Sequence, residues 1–206
     1  MMRSIILQSS RWVTIFAVIF LLSGCIGRSA PKVTYFSLLT AEQLKAEQPI
    51  ASLPEIKLGI GPVTIPNSLK RSQVATRQLG NQYGFSEFNR WAGILEKDLT
   101  YVLGENLGHL LGVDKIGYFP WLHHFQPTYR VMLDVIKLDG SLDGDAVFNV
   151  HWVVADTTGN EFLAGGKGVY RQPLEAKTYP ALVKAESQLV AQLSHEIATA
   201  IAALDK

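Results

Sequence analysis

Thiols are almost missing from this chain: its 206 residues include one cysteine, Cys25. A lone thiol closes no disulfide within the chain, so a disulfide-framed fold is excluded, and no Cys/His zinc spacing can be built on it. Charge is scarce as well. Asp, Glu, Lys and Arg make up 18% of the residues and nearly cancel, at a formal +1, without the one-sided basic surplus that marks nucleic-acid binding. Downstream of Leu22 no apolar run approaches the ~20 residues of a spanning helix.

Catalytic motifs are missing too. There is no HExxH, and Ser141 follows Gly140 without the second glycine of a nucleophile elbow. Gly165-Gly166-Lys167-Gly168 lacks the Gly-Lys-Ser/Thr ending of a phosphate loop and has no helix after it. His123 and His124 are adjacent and would diverge in a strand, while His109, His151 and His195 stand alone. Asp134, Asp139, Asp143 and Asp145 lack EF-hand spacing and fall where turns are expected. The expectation is a protein without enzymatic activity, metal or cofactor.

What is present begins at the N-terminus. Arg3 and Arg11 form a basic region, Val13 to Leu22 form an apolar run of about ten residues, and Leu22-Ser23-Gly24-Cys25 follows. That order is a bacterial lipoprotein signal, too short to span a bilayer of about 30 Å. Residues 1–24 are then a leader, and Cys25, carrying covalent lipid, opens the mature chain. Ile26 stands where an aspartate would signal inner-membrane retention, which points to the outer membrane. Loss of Arg3 and Arg11 leaves 17 basic against 18 acidic residues.

Residues 25–32 read as a lipidated tether and 33–206 as one domain, α+β in class. Strands are expected at 33–39, 55–63 (ending in a Gly61-Pro62 turn), 73–77, 84–88 and 127–138, with turns at Asp139-Gly140 and Asp143-Gly144. Ala146, Phe148, Val150, Trp152 and Val154 alternate cleanly and turn at Thr158-Gly159-Asn160 into a partner over 161–171. The period changes to helical at 89–111 and again at 179–204. Gly93, Gly104 and Gly108 within the first helix predict close packing on a sheet, and Gly112 ends it. Two long amphipathic helices on one face of a mainly antiparallel sheet satisfy this order.

From Gly61 to Trp91 arginines and aromatics gather near turns. Two readings stand: Trp91 as a core anchor with solvated arginines, or a protein-contact patch, since Arg and Trp dominate interfaces. The candidate contact residues are Pro66, Leu69, Arg71, Arg77 and Arg90, with Trp121 from the later Tyr118-Phe119-Pro120-Trp121 run.

The ordered set of Cys25, Tyr35-Phe36-Ser37-Leu38, Gly61-Pro62-Val63, Ile65-Pro66, Gln73 to Arg77, Arg90-Trp91, Leu103 to Leu111 and Tyr118 to Trp121 resembles the PqiC family of ABC-type transport auxiliary lipoproteins. The resemblance implies an outer-membrane lipoprotein working with an envelope-spanning MCE-domain protein (PqiB-like) and, indirectly, an inner-membrane PqiA-like protein, in lipid movement and envelope integrity. A homo-oligomer would suit a ring-shaped partner. The competing expectation is a lipid carrier with a deep apolar cavity of several hundred Å³.

Overall fold

The computed structural model describes residues 31–206, apart from 79, 80, 123 and 206. The expected leader and Cys25 lie outside the described residues. A compact unit begins at Val33. In chain order it contains β1 (Thr34–Phe36), α1 (Ala41–Leu44), β2 (Leu58–Thr64), a 3-10 turn (Asn67–Leu69), β3 (Gln73–Arg77), β4 (Tyr83–Trp91), α2 (Leu95–Leu111), β5 (Ile116–Tyr118), β6 (Tyr129–Gly140), β7 (Asp145–Ala155), β8 (Phe162–Pro173) and α3 (Tyr179–Leu204).

The strands form one sheet in the order β1-β4-β3-β6-β2-β5, with β7 on the other side of β6 and β8 beyond it. It is a mixed sheet. The long β6-β7-β8 ladders and β3-β4 are antiparallel, whereas β1-β4, β2-β5, β2-β6 and β3-β6 are short parallel pairings. The class is α+β, and both long helices cover one face.

Alternation decides which side of each strand is buried. Val131, Leu133 and Val135 of β6 sit opposite Val154, Trp152 and Val150 of β7, and all six are buried. Against them α3 lays Leu182, Leu189, Leu193, Ile197 and Ile201, each fully buried and each contributing about 2 kcal/mol of transfer free energy. The slip in alternation at Ile136 is a register shift between Val135 and Lys137, and it leaves Ile136 exposed.

The helical period beginning at Asn89 overruns the true helix start. β4 continues through Trp91 because Trp91 N–H donates to Ser72 O at 2.7 Å and Ala92 N–H to Phe36 O at 2.7 Å; non-local ladder bonds win over local period. Gly93 consequently lies before α2 and faces open space. Gly104 and Gly108 do permit close packing, since a Cβ there would lie 2.6 Å from Tyr118 and 2.8 Å from Ile116 of β5. Gly112 ends α2 with φ of 62°.

Gly61-Pro62 also departs from expectation. The strand does not turn there but runs on to Thr64 through a bulge between Ile60 and Val63. Asp139 is likewise no turn residue: it sits in β6, 1% exposed. Asp143-Gly144 does form a turn, closed by Gly144 N–H donating to Ser141 O at 3.0 Å, and in the following turn the Asp156 carboxylate accepts from the N–H groups of Thr158, Asn160 and Glu161. Those bonds hold it far below the usual carboxylate range.

Buried polar side chains join the elements after β1. Asn106 of α2 accepts from Ala41 N–H at 2.7 Å and donates to Ser194 of α3 at 3.1 Å. Asp98 accepts from Leu38 N–H at 2.8 Å and Ser187 from Leu39 N–H at 3.0 Å.

Glu186 of α3 is buried, and its Oε2 has no hydrogen-bond partner among the described residues. Burial, with the nearby Asp139 charge, pushes its carboxyl well above the usual carboxylate range. The folded state therefore keeps a proton that the unfolded chain releases, and stability falls as pH rises from 4.5 toward the raised value, by up to about 1.4 kcal/mol per pH unit. Glu186→Gln removes this loss: urea midpoints should match wild type near pH ~4 and exceed it near pH ~8.

Candidate functional site

Three of the sequence-predicted contact residues share one surface. Arg90, Phe85 and Tyr83 of β4 stand opposite Gln73, Ala75 and Arg77 of β3, so their side chains lie on one face of this hairpin. Tyr35 of β1 pairs with Arg90 and joins the same face. Val74, Phe36 and Trp91 point the other way into the core. On the outer side the Arg71 guanidinium lies 4.6 Å over the Phe85 ring, Phe85 stacks on Tyr83 at 6.0 Å, and Arg77 lies 4.7 Å over Tyr83. The result is a row of two stacked aromatics with an arginine over each end.

Within that row Arg77 is committed to structure. Its Nη2 donates to Asp139 Oδ2 at 2.9 Å and its Nε to Oδ1 at 3.3 Å, while Tyr83 OH donates to the same carboxylate at 2.9 Å. Lys137 adds an ion pair at 3.4 Å. The hydrogen bond to Asp139 raises the Arg77 pKa despite desolvation, and burial, then the Asp139 bond, raises that of Tyr83. Arg77→Ala leaves an almost fully buried carboxylate short of its main partner and should cost about 3 kcal/mol. Asp139→Asn should cost less, because the Arg77 side chain is 30% exposed and can be hydrated; denaturant midpoints of the two variants check the order.

The other three candidates lie apart from this row. Leu69 is 5% exposed; it is the apolar residue of the 3-10 turn and belongs to the core. Pro66 is half-buried at the start of that turn. Trp121 is half-buried against β2, where a Cβ on Gly59 would lie 3.1 Å from its ring, and Arg130 covers the ring at 5.1 Å. Arg90 pairs with Glu87 at 2.9 Å.

A second surface was not among the sequence candidates. Between the first half of α2 and the β2 and β5 strands runs a groove of about 570 Å³, lined by Pro62, Val63, Tyr101, Tyr118, Phe119 and Pro120 with Glu96, Lys97 and Thr100 at its polar side. Tyr101 and Tyr118 meet edge to face at 4.7 Å, and Phe119 meets Trp121 at 5.4 Å. Tyr101 and Phe119 are each 52% exposed. Tyr118 OH donates to Glu105 at 3.2 Å, and desolvation first, then Glu105, pushes its pKa well up. Glu96 also borders a smaller groove of about 320 Å³ that holds Ile65, Leu69, Arg71 and Ile94. The signal for this site was Tyr101, an aromatic off the buried stripe of its helix.

Gly61 shapes the groove. Its φ of 110° suits glycine alone, and a Cβ would lie 2.8 Å from Phe119 Cβ. Gly61→Ala should cost about 2 kcal/mol in a thermal melt and displace Phe119.

Aromatics, prolines and arginines dominate both surfaces, with Glu96, Lys97 and Thr100 at the polar side of the groove. Among the described residues no three His, Cys, Asp or Glu side chains group as metal ligands, and no helix is long and apolar enough to cross a membrane.

The fold is similar to a Xanthomonas campestris protein of the DUF330 family, with a TM-score of 0.66 at 12% identity over 84% of this chain and 98% of that one. An uncharacterized protein of known structure is similar at a TM-score of 0.64 and 19% identity, over 82% and 99% of the two chains. PelC from Paraburkholderia phytofirmans, solved as a dodecamer, matches at 0.43 and 12% over 72% and 93%. Curated proteins gave no match. The model of the ABC-type transport auxiliary lipoprotein component family matches residues 37–198, which is most of the chain, and this protein therefore belongs to that family.

Proposed function

We propose that the chain is a non-enzymatic lipoprotein subunit of an MCE-type (Pqi-like) lipid transport system, tethered through Cys25 to the periplasmic face of the outer membrane and holding the envelope-spanning PqiB-like protein there. A PqiA-like inner-membrane protein is then reached indirectly, and envelope integrity depends on the assembly. Family membership supports the transport and lipoprotein parts of this reading. Ile26 after the lipobox supports the outer membrane.

The observation that carries the docking role is the groove at Tyr101 and Phe119. Aromatic side chains half exposed on a rigid sheet-and-helix frame are the anchors from which interfaces draw most of their energy. A homo-oligomer of the domain would repeat this anchor around a ring-shaped partner and multiply weak contacts.

A photo-crosslinking residue placed at Tyr101 of the full chain in membranes tests the assignment. Crosslinks to the MCE protein are the expected result. Crosslinks to phospholipid instead would favour the carrier reading, because a groove of about 570 Å³ is large enough for part of an acyl chain.

A further inference from the structure

The outer face of β1 and β4 carries two exposed aromatics that neither the core nor the groove uses. Tyr35 is 64% exposed and Phe88 46% exposed. Arg90 pairs across the ladder with Tyr35, and Arg71 lies further along β4, over Phe85. Glu87 is the acidic side chain of this face and is bound to Arg90; Arg71 has no carboxylate partner among the described residues. Aromatics with arginines at their edges are the residue types that settle at the headgroup level of a bilayer, where anionic lipid attracts the basic side chains.

Chain length puts this face beside the bilayer. Only seven residues lie between Cys25 and Val33, eight Cα–Cα steps that reach at most about 29 Å when fully extended, and β1 begins at the next residue. Lipid fixed at Cys25 thus holds β1 within a short distance of the membrane surface, at the end of the strand order away from β5 and the groove. We infer that the Tyr35–Phe88 face, with Arg71 and Arg90, rests on the headgroups of an anionic bilayer and orients the domain. This inference rests on the lipidation at Cys25 given under the proposed function.

With Cys25 blocked by lipid, an introduced cysteine is the sole free thiol. Phe88→Cys, Tyr35→Cys and, as a control on exposed Lys167 of β8, Lys167→Cys can each take an environment-sensitive fluorophore in the full chain. The chains are reconstituted in phosphatidylethanolamine/phosphatidylglycerol vesicles containing a headgroup-nitroxide lipid. Quenching at positions 88 and 35 should exceed that at 167 by about threefold or more, in line with contact against no contact. The two aromatic positions guard against one variant that misfolds. Equal quenching at all three positions in an acylated chain overturns the orientation alone. Protection of the 88 label only after the MCE protein is added assigns the face to protein and overturns it as well. Uptake of fluorophore by Cys25 in the wild-type chain overturns the anchor, and the orientation with it.

Discussion

A Cys25→Ser chain whose residues 1–24 are exchanged for a secretory leader that is cleaved without lipidation is expected in the soluble periplasmic fraction, while the wild type pellets with membranes. The argument is one of transfer energy. Each buried methylene contributes about 0.8 kcal/mol, and a single fourteen-carbon chain gives only a reversible association constant of about 10⁴ M⁻¹, whereas two or more chains hold a protein effectively permanently. No described helix can replace that anchor. Headgroup contacts at Tyr35 and Phe88 would add a few kcal/mol at most, so retention should fall by more than three orders of magnitude. Folding should be untouched, because the core begins at Leu38, and equal melting temperatures would verify it. Fractionation with the melt thus separates a lost tether from a lost domain.

Tyr101→Asp with Phe119→Asp should weaken capture of the MCE partner by at least about 30-fold. Both residues are 52% exposed and each packs edge to face on one neighbour, so replacing them should cost folding about 1 kcal/mol each. In an interface the same rings count differently. An aromatic anchor costs about 2 kcal/mol or more when lost, about 30-fold in affinity, and the pair falls between about 30-fold and 10³-fold because neighbouring anchors are not additive. Ile136→Asp is the control, an equally exposed apolar residue on the opposite sheet face. Binding of the purified partner to the three chains, read by surface-immobilised titration, should separate the groove pair from the control.

Much of this architecture was legible in the sequence because its strongest patterns are local. The α3 helix carries an unbroken apolar stripe from Leu182 to Ile201, and β7 alternates without a fault from Ala146 to Val154. Where long-range pairing decides, local pattern misleads. Trp91 fits a helical period with Leu95, yet its N–H belongs to a strand ladder with Ser72. Asp139-Gly140 has turn chemistry, yet Arg77, 62 residues away in sequence, draws Asp139 into a buried ion pair.

The candidate site was legible in part for the same reason. Arg71 and Arg77 flank the Phe85–Tyr83 stack, because β3 and β4 are a local hairpin. Leu69 could not be told from an exposed anchor without knowing which way its turn packs. Tyr101 and Phe119 come together only when α2 is laid beside β5, a contact that no spacing along the chain encodes.

The account stands most directly on the mature N-terminus. Intact-mass and tandem mass spectrometry of the protein isolated from membranes should find a chain that starts at Cys25 and carries diacylglycerol with or without a further acyl group on that residue. A bare Cys25 thiol in a chain that retains residues 1–24 would contradict it.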